Sequence, residues 1–288
     1  MLSSSFFYHF QAAVSPSLVV LTDFLAVANR ALTYATALAG PLHARLVLLH
    51  VRYTALPVPP GSGHRHTPAG AQQTDQALQL LATAQSVPTT VEVAEEFLAD
   101  ALYDVARRQE ALLMVMPRLG SAAVPSRQLT ETVLELLHAT PHPLLLVPET
   151  GAASGLPRRL LLATDCAPFQ LHDPLNQQLL RQLLHATGGT LDAVHVSPDL
   201  HAHPHPHAVA ATLRAAQVVV ELPTERFHAV RHRSVVGGVL AESARQDADM
   251  LVVVARRHSF LGSLFHRSVT ARLIQQSPIP VLVLPAHD

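Results

Sequence analysis

The chain contains no lysine: all 20 of its basic residues are arginine. That absence excludes a Schiff-base amine and a phosphate-binding loop ending in Gly-Lys-Ser/Thr. Tryptophan is missing as well. Together the two gaps read as a compositional bias, which constrains function without pointing to one. A single cysteine, Cys166, excludes an intrachain disulfide and fits a reducing compartment, so a cytoplasmic protein is expected. No stretch approaches the ~20 uninterrupted apolar residues of a membrane-spanning helix. The apolar patch at Phe6 and Phe7 has no basic residue before it, which argues against a secretory leader. Twenty basic against 21 acidic residues leave no net field to draw the chain onto nucleic acid or an anionic membrane. With aromatics at 5% and no basic helix face, neither nucleic acid nor a membrane is an expected partner.

What is present, over 288 residues that are 49% apolar, is a chain that repeats itself. Leu-Val-Val-Leu-Thr-Asp at 18–23 matches Leu-Leu-Leu-Ala-Thr-Asp at 160–165, and Leu-Val-Leu-Leu-His-Val at 46–51 matches Leu-Asp-Ala-Val-His-Val at 191–196. Residues 101–118 match 239–256 at a constant shift of 138, with Arg107 on Arg245 and Arg118 on Arg256. Pro-His-Pro-Leu-Leu-Leu-Val-Pro at 141–148 matches Pro-Ile-Pro-Val-Leu-Val-Leu-Pro at 278–285. The order is kept and the shifts stay between 137 and 145. The repeat is a whole domain, not a solenoid unit. Two domains follow, 16–149 and 157–286, joined by a short linker holding Gly151, Ser154, Gly155 and Pro157.

Each half alternates short apolar runs with amphipathic stretches. Runs such as 18–21, 144–147, 251–254 and 281–284 suit strands buried on both faces. Helices are expected at 26–39 and 175–187, which stop at Gly40-Pro41 and Gly188-Gly189. Others are expected at 98–109, 127–138, 239–246 and 268–276. About five strands and four helices per half demand an α/β fold, a parallel sheet with helices on both faces, and sites beyond the carboxyl ends of the strands.

Three places could carry chemistry. Asp23 and Asp165 end the first strand of each half, where a carboxylate can accept bonds from a ribose, a base amine or backbone amides, or simply cap a helix. Residues 255–270 feed a helix N-terminus, a natural anion site, and carry Arg256, Arg257, His258, His266, Arg267 and the N-terminal Ser268. His201, His203, His205 and His207 alternate with alanine and proline, so an extended backbone would turn their imidazoles one way. No cysteine or acid interleaves them, so a biased loop is expected there, as at 56–70 in the first half, and no metal site. Cys166 follows Asp165, whose charge disfavours a thiolate. No nucleophile has a nameable partner, and no enzyme is expected.

Strand one at 160–165, Val-His-Val at 194–196, and the block from Asp249 through Ser-Val-Thr to Leu284 resemble the universal stress protein family in its tandem two-domain form. The resemblance implies an adenine nucleotide alpha hydrolase-like fold with two doubly wound, parallel five-stranded sheets, one per domain, in strand order 3-2-1-4-5. It also implies an intramolecular pseudo-dimer through the fifth strands, with association of two chains left open. In members that bind ATP, the acid matching Asp165 contacts the adenosine and the residue matching Val196 lines the base pocket. Their loop Gly-x2-Gly-x9-Gly-Ser/Thr holds the phosphates. Setting Ser268-Val269-Thr270 on that motif puts Val254, Arg257 and Arg267 where the glycines belong, with Ser268 kept. In the first half Met116, Leu119 and Thr130 or its neighbours face the same positions, and Glu131 falls near the serine. The expected function is therefore that of a non-catalytic stress-response protein that lacks both a cofactor and tight ATP binding. The alternative is an adenine-nucleotide module in the second half, with Arg256, Arg257 and Arg267 replacing the lost amides by charge beside Ser268 and Val269.

Overall fold

A computed structural model of the chain describes residues 15–22, 26–52, 68–118, 133, 136, 140–149, 155–165, 170–171, 174–199, 206–216, 218, 223–256 and 269–287. Its first strand shows how the sequence builds the sheet. β1 (Ser17–Leu21) is an apolar run whose first four residues are fully buried, as a strand covered by helices on both sides requires. The chain returns through α1 (Ala26–Ala39) to β2 (Arg45–Val51), then α2 (Pro68–Thr83), β3 (Thr89–Ala94), α3 (Leu98–Arg108), β4 (Ala111–Arg118) and β5 (Leu144–Pro148). The second half runs β6 (Arg159–Ala163), β7 (Gln170–Leu171), α4 (Pro174–Thr187), β8 (Thr190–Ser197), α5 (Pro206–Ala215), β9 (Phe227–Arg231), α6 (Val235–Arg245), β10 (Met250–Arg256), α7 (Val269–Gln276) and β11 (Val281–His287).

The strands hydrogen-bond in the order β3-β2-β1-β4-β5-β11-β10-β6-β8-β9, with β7 on β11. Leaving β7 aside, each half has the order 3-2-1-4-5 that the resemblance implies. The two sheets meet through their fifth strands, as the resemblance implies. β5 and β11 pair antiparallel, Leu146 opposite Val281, Leu145 opposite Leu282 and Leu144 opposite Val283, and the halves fuse into one eleven-stranded sheet. These six side chains are fully buried, so each fifth strand finds in the other the partner that an open edge would lack. The short β7, which the repeat does not foretell, pairs antiparallel with the last turn of β11.

The core follows the fused sheet. On one face Leu18, Leu38 and Leu113 pack in the same cluster as Leu162, Leu180 and Leu282; on the other Val19, Leu102 and Met114 pack with Leu161, Leu251 and Val283. Helices α1, α2, α4 and α5 cover the first face, and α3, α6 and α7 the second. Arg118, at the end of β4, crosses between the halves. Its guanidinium donates to the carbonyls of Ile274 (3.0 Å) and Ser277 at the carboxyl end of α7.

Proline accounts for most of the remaining differences from expectation. Three helices, α2, α4 and α5, begin with proline (Pro68, Pro174 and Pro206), where a missing N–H costs nothing. Thus Pro68 and Gly70 are helical, not loop, and His207 sits in the first turn of a helix, not in an extended run. His201, His203 and His205 lie outside the described residues. So does most of the helix expected at 127–138, of which Val133 and Leu136 are helical and fully buried. Helix α6 begins four residues earlier than its apolar pattern suggests. The Ser234 hydroxyl accepts from the Gly237 amide at 3.2 Å and caps it. Among the described residues no helix is long and apolar enough to cross a membrane, and no cluster of three His, Cys, Asp or Glu is placed to hold a metal ion.

Candidate functional site

The carboxyl ends of β6, β8 and β10 open onto one cavity of about 450 Å³. The first strand delivers Ala163, Thr164 and Asp165, the second His195 and Val196, and the fourth Val253 and Val254. The amino-terminal ends of two helices close the space: α6 brings Val235 and Val239, and α7 brings Val269, Thr270 and Leu273. Six of these side chains are valines, so the wall is chiefly apolar. Its polar groups are the exposed Asp165 carboxylate, the Thr164 and Thr270 hydroxyls and the His195 ring.

The strand ends are locked by a contact that occurs in both halves. The Thr164 amide donates to the carbonyl of Val194 at 3.0 Å, and Nδ1 of His195 lies 3.1 Å from the carbonyl oxygen of Thr164. In the first half the Thr22 amide donates to the Leu49 carbonyl at 2.9 Å, and Nδ1 of His50 lies 3.0 Å from the Thr22 oxygen. A carbonyl can only accept, so each ring carries its proton on Nδ1 and leaves Nε2 as the acceptor in the neutral form. The contact fixes the backbone immediately before the acid that ends strand one.

Close packing sets the opposite wall. A Cβ on Gly238 would lie 2.6 Å from Cγ1 of Val196, and one on Gly237 would lie 2.7 Å from Cε1 of His232. Gly238 therefore lets α6 press directly on the strand that carries Val196, and Gly237 makes room for the His232 ring.

Of the residues singled out in the sequence, the structure brings Asp165, Val196, Val254 and Val269 together around this cavity. Arg256 ends β10, one strand residue beyond Ala255. Arg257, Arg267 and Ser268 lie outside the described residues, as do Asp23 and Cys166. Sequence reasoning missed His195, Val235 and Val239. The duplicated histidine was visible in the repeat, but a ring bonded to a neighbouring strand's carbonyl leaves no mark in the spacing of residues. Val235 was missed because the start of α6 was placed too late, and Val239 because it was read only as part of that helix's apolar pattern.

The comparisons with known proteins agree with this architecture. No curated protein matches the sequence. Among solved structures, a universal stress protein from Archaeoglobus fulgidus DSM 4304 is similar over 93% of this chain and 97% of its own, with a TM-score of 0.65 at 16% identity. A functionally unknown protein from Pseudomonas aeruginosa PAO1 is similar over 94% of this chain and 92% of its own, with a TM-score of 0.58 at 17% identity. At such identities the likeness is one of fold. The sequence model of the universal stress protein family matches twice, over residues 16–148 and 157–285. Those two matches take in nearly all of the fused sheet, and with them the chain belongs to the universal stress protein family.

Proposed function

We propose that the chain acts in the cytoplasm as a non-catalytic stress-response protein that does not hold ATP tightly. Val254 carries this reading. Its side chain stands in the cavity wall at the position where the phosphate loop of nucleotide-holding relatives has its first glycine. A branched side chain there keeps backbone amides from wrapping a phosphate, and the valines around it offer a polyanion no hydrogen bonds. The one imidazole of the described wall has its Nδ1 committed to Thr164, and the one carboxylate is exposed to water.

A second reading has one observation in its favour. A cavity of about 450 Å³ at the strand ends is of a size that holds small molecules, and Asp165 and Val196 both border it. On that reading an adenine nucleotide is held by the second half, with Asp165 at the ribose, Val196 and Val269 at the base, and Arg256, Arg257, Arg267 and Ser268 near the phosphates.

Calorimetric titration of the full chain with ATP separates the two. The first reading expects a dissociation constant weaker than ~1 mM and no release of inorganic phosphate. A constant well below that value, weakened at least tenfold in Asp165→Ala, would establish the second reading instead.

A further inference from the structure

The fused sheet ends in two edge strands, and they are equivalent positions of the repeat. Among the described residues β3 pairs only with β2, and β9 only with β8. Each leaves a row of backbone donors and acceptors on its outer side. The two edges carry opposite charge. From 92 to 104 the first half has Glu92, Glu95, Glu96, Asp100 and Asp104 and no cation. From 223 to 234 the second half has Arg226, Arg231 and Arg233, with His228 and His232, against Glu225 alone. Some of these charges are engaged within the chain: Glu92 binds Arg108, Glu95 binds Arg52 and Arg226 binds Asp192. Glu96, Asp104, Arg231 and Arg233 are exposed at their respective edges, Arg231 while also taking part in an interaction within the chain.

The acidic edge also carries an apolar anchor. Phe97 occupies the N-cap position of α3, makes no side-chain capping bond, and is 65% exposed. Its counterpart in the second half is Ser234, which does cap α6. An aromatic ring in a capping position leaves the first helical amides without a side-chain acceptor and leaves apolar surface in water, so folding of this chain alone gives no reason for it. Tyr103 and Val93 are exposed nearby, at 39% and 37%. The basic edge offers the complement: a groove of about 520 Å³ between β9 and α6, lined by Ala229, Val230, Gly238 and Ala241 together with Arg231, His232 and the Glu242–Arg245 pair.

We propose that the β3 edge of one chain docks on the β9 edge of a second copy, head to tail, with Phe97 seated in the β9–α6 groove. The directions of the strands permit it. Each half is parallel within itself and the halves are antiparallel to each other through β5 and β11, so β3 and β9 run in opposite senses. In a copy displaced along the sheet, β9 arrives antiparallel to β3. Helices α3 and α6 pack on the same sheet face, so both lie on one side of the joined sheet. The exposed carboxylates then face arginines, and an arginine rim suits an aromatic ring. Pairing β3 with β3 would instead set like charges against each other. The contact is heterologous and grows as a ring or an open chain.

Sedimentation velocity of the full chain over a range of concentrations tests this. At ~50 mM salt the mean mass should rise with concentration, and at ~500 mM it should fall back toward the monomer. Reversing either edge, Glu96→Arg with Asp104→Arg or Arg231→Glu with Arg233→Glu, should abolish association. Mixing the two reversed proteins should restore it, because each then offers the other a complementary edge. Phe97→Ser, which supplies a better cap, should weaken association at least tenfold without lowering the melting temperature, so that loss of assembly is separated from loss of fold. A wild-type chain that stays monomeric at low salt overturns the proposal. So does association that survives either reversal, or a mixture of reversed chains that remains monomeric.

Discussion

Tyr34 is a residue whose chemistry and surroundings disagree. Its ring lies on α1 in the core, 3% exposed, and its hydroxyl finds no hydrogen-bond partner among the described residues. Burial, with a smaller contribution from Asp249, pushes the phenol's pKa upward, so the group stays neutral at any working pH. An unsatisfied hydroxyl has lost its water and gained nothing in return, so Tyr34→Phe should raise stability by about 1 kcal/mol, read as a higher denaturant midpoint with an unchanged slope. At this scale the sequence was legible where a residue type repeats at a strand end. Asp165 could be named from its place at a strand end because the carboxyl ends of parallel strands converge, whereas Val196 was named through the family resemblance. The bond from His195 to the Thr164 carbonyl could not, because it depends on how two strands align in depth, and no side chain of Thr164 takes part.

Where β8, β9 and α6 meet, a charged network ties the elements together. His228 on β9 has Nε2 3.0 Å from Asp192 on β8 and Nδ1 3.5 Å from Glu242 on α6. Arg226 binds Asp192 at 3.1 Å, and Nε of Arg245 binds Glu242 at 2.8 Å. Burial alone would raise the Glu242 carboxyl, but hydrogen bonds from Arg245 and Gln246 and the nearby His228 outweigh it and hold the carboxyl below its usual range. The sign follows directly. The unfolded chain takes up this proton first, so the stabilisation is complete above the ordinary glutamate value of about 4.3 and is lost as pH falls through the lower folded value. Melting temperature against pH should drop on that acid limb. Glu242→Gln should flatten the limb and lower the melting temperature at neutral pH. The first half shows why such a network escapes sequence reading. In register, Glu92 stands where His228 does and binds Arg108 and Gln109 instead. The repeat fixes where a charged cluster falls, not which charges fill it.

The division into two α/β halves was legible in the whole chain, because the same motifs recur in order at near-constant shifts; the strand order within each half came from the family resemblance, not from the spacing. The pairing through the fifth strands also came from the resemblance: apolar fifth strands suit a buried position, but nothing in their composition distinguishes a helix cover from a strand partner. The fused core has a mechanical counterpart in Arg118. Burial pushes its guanidinium's pKa downward, yet it bridges from β4 to the end of α7 in the other half. Arg118→Ala leaves the Ile274 and Ser277 carbonyls without that donor and should cost about 2 kcal/mol. Because both core clusters run through both halves, thermal unfolding of the variant should remain a single transition at lower temperature. Two separate transitions would show that the halves melt independently.

The antiparallel seam between Leu144–Pro148 and Val281–His287 has one more consequence. Two identical polypeptides meeting across such a seam must present matching termini to their surroundings, since every substitution is written twice. Covalent duplication lifts that symmetry. It allows a glutamate-rich tip and an arginine-rich tip on one object, giving it a polarity that no assembly of two identical single-domain subunits across the same seam could have.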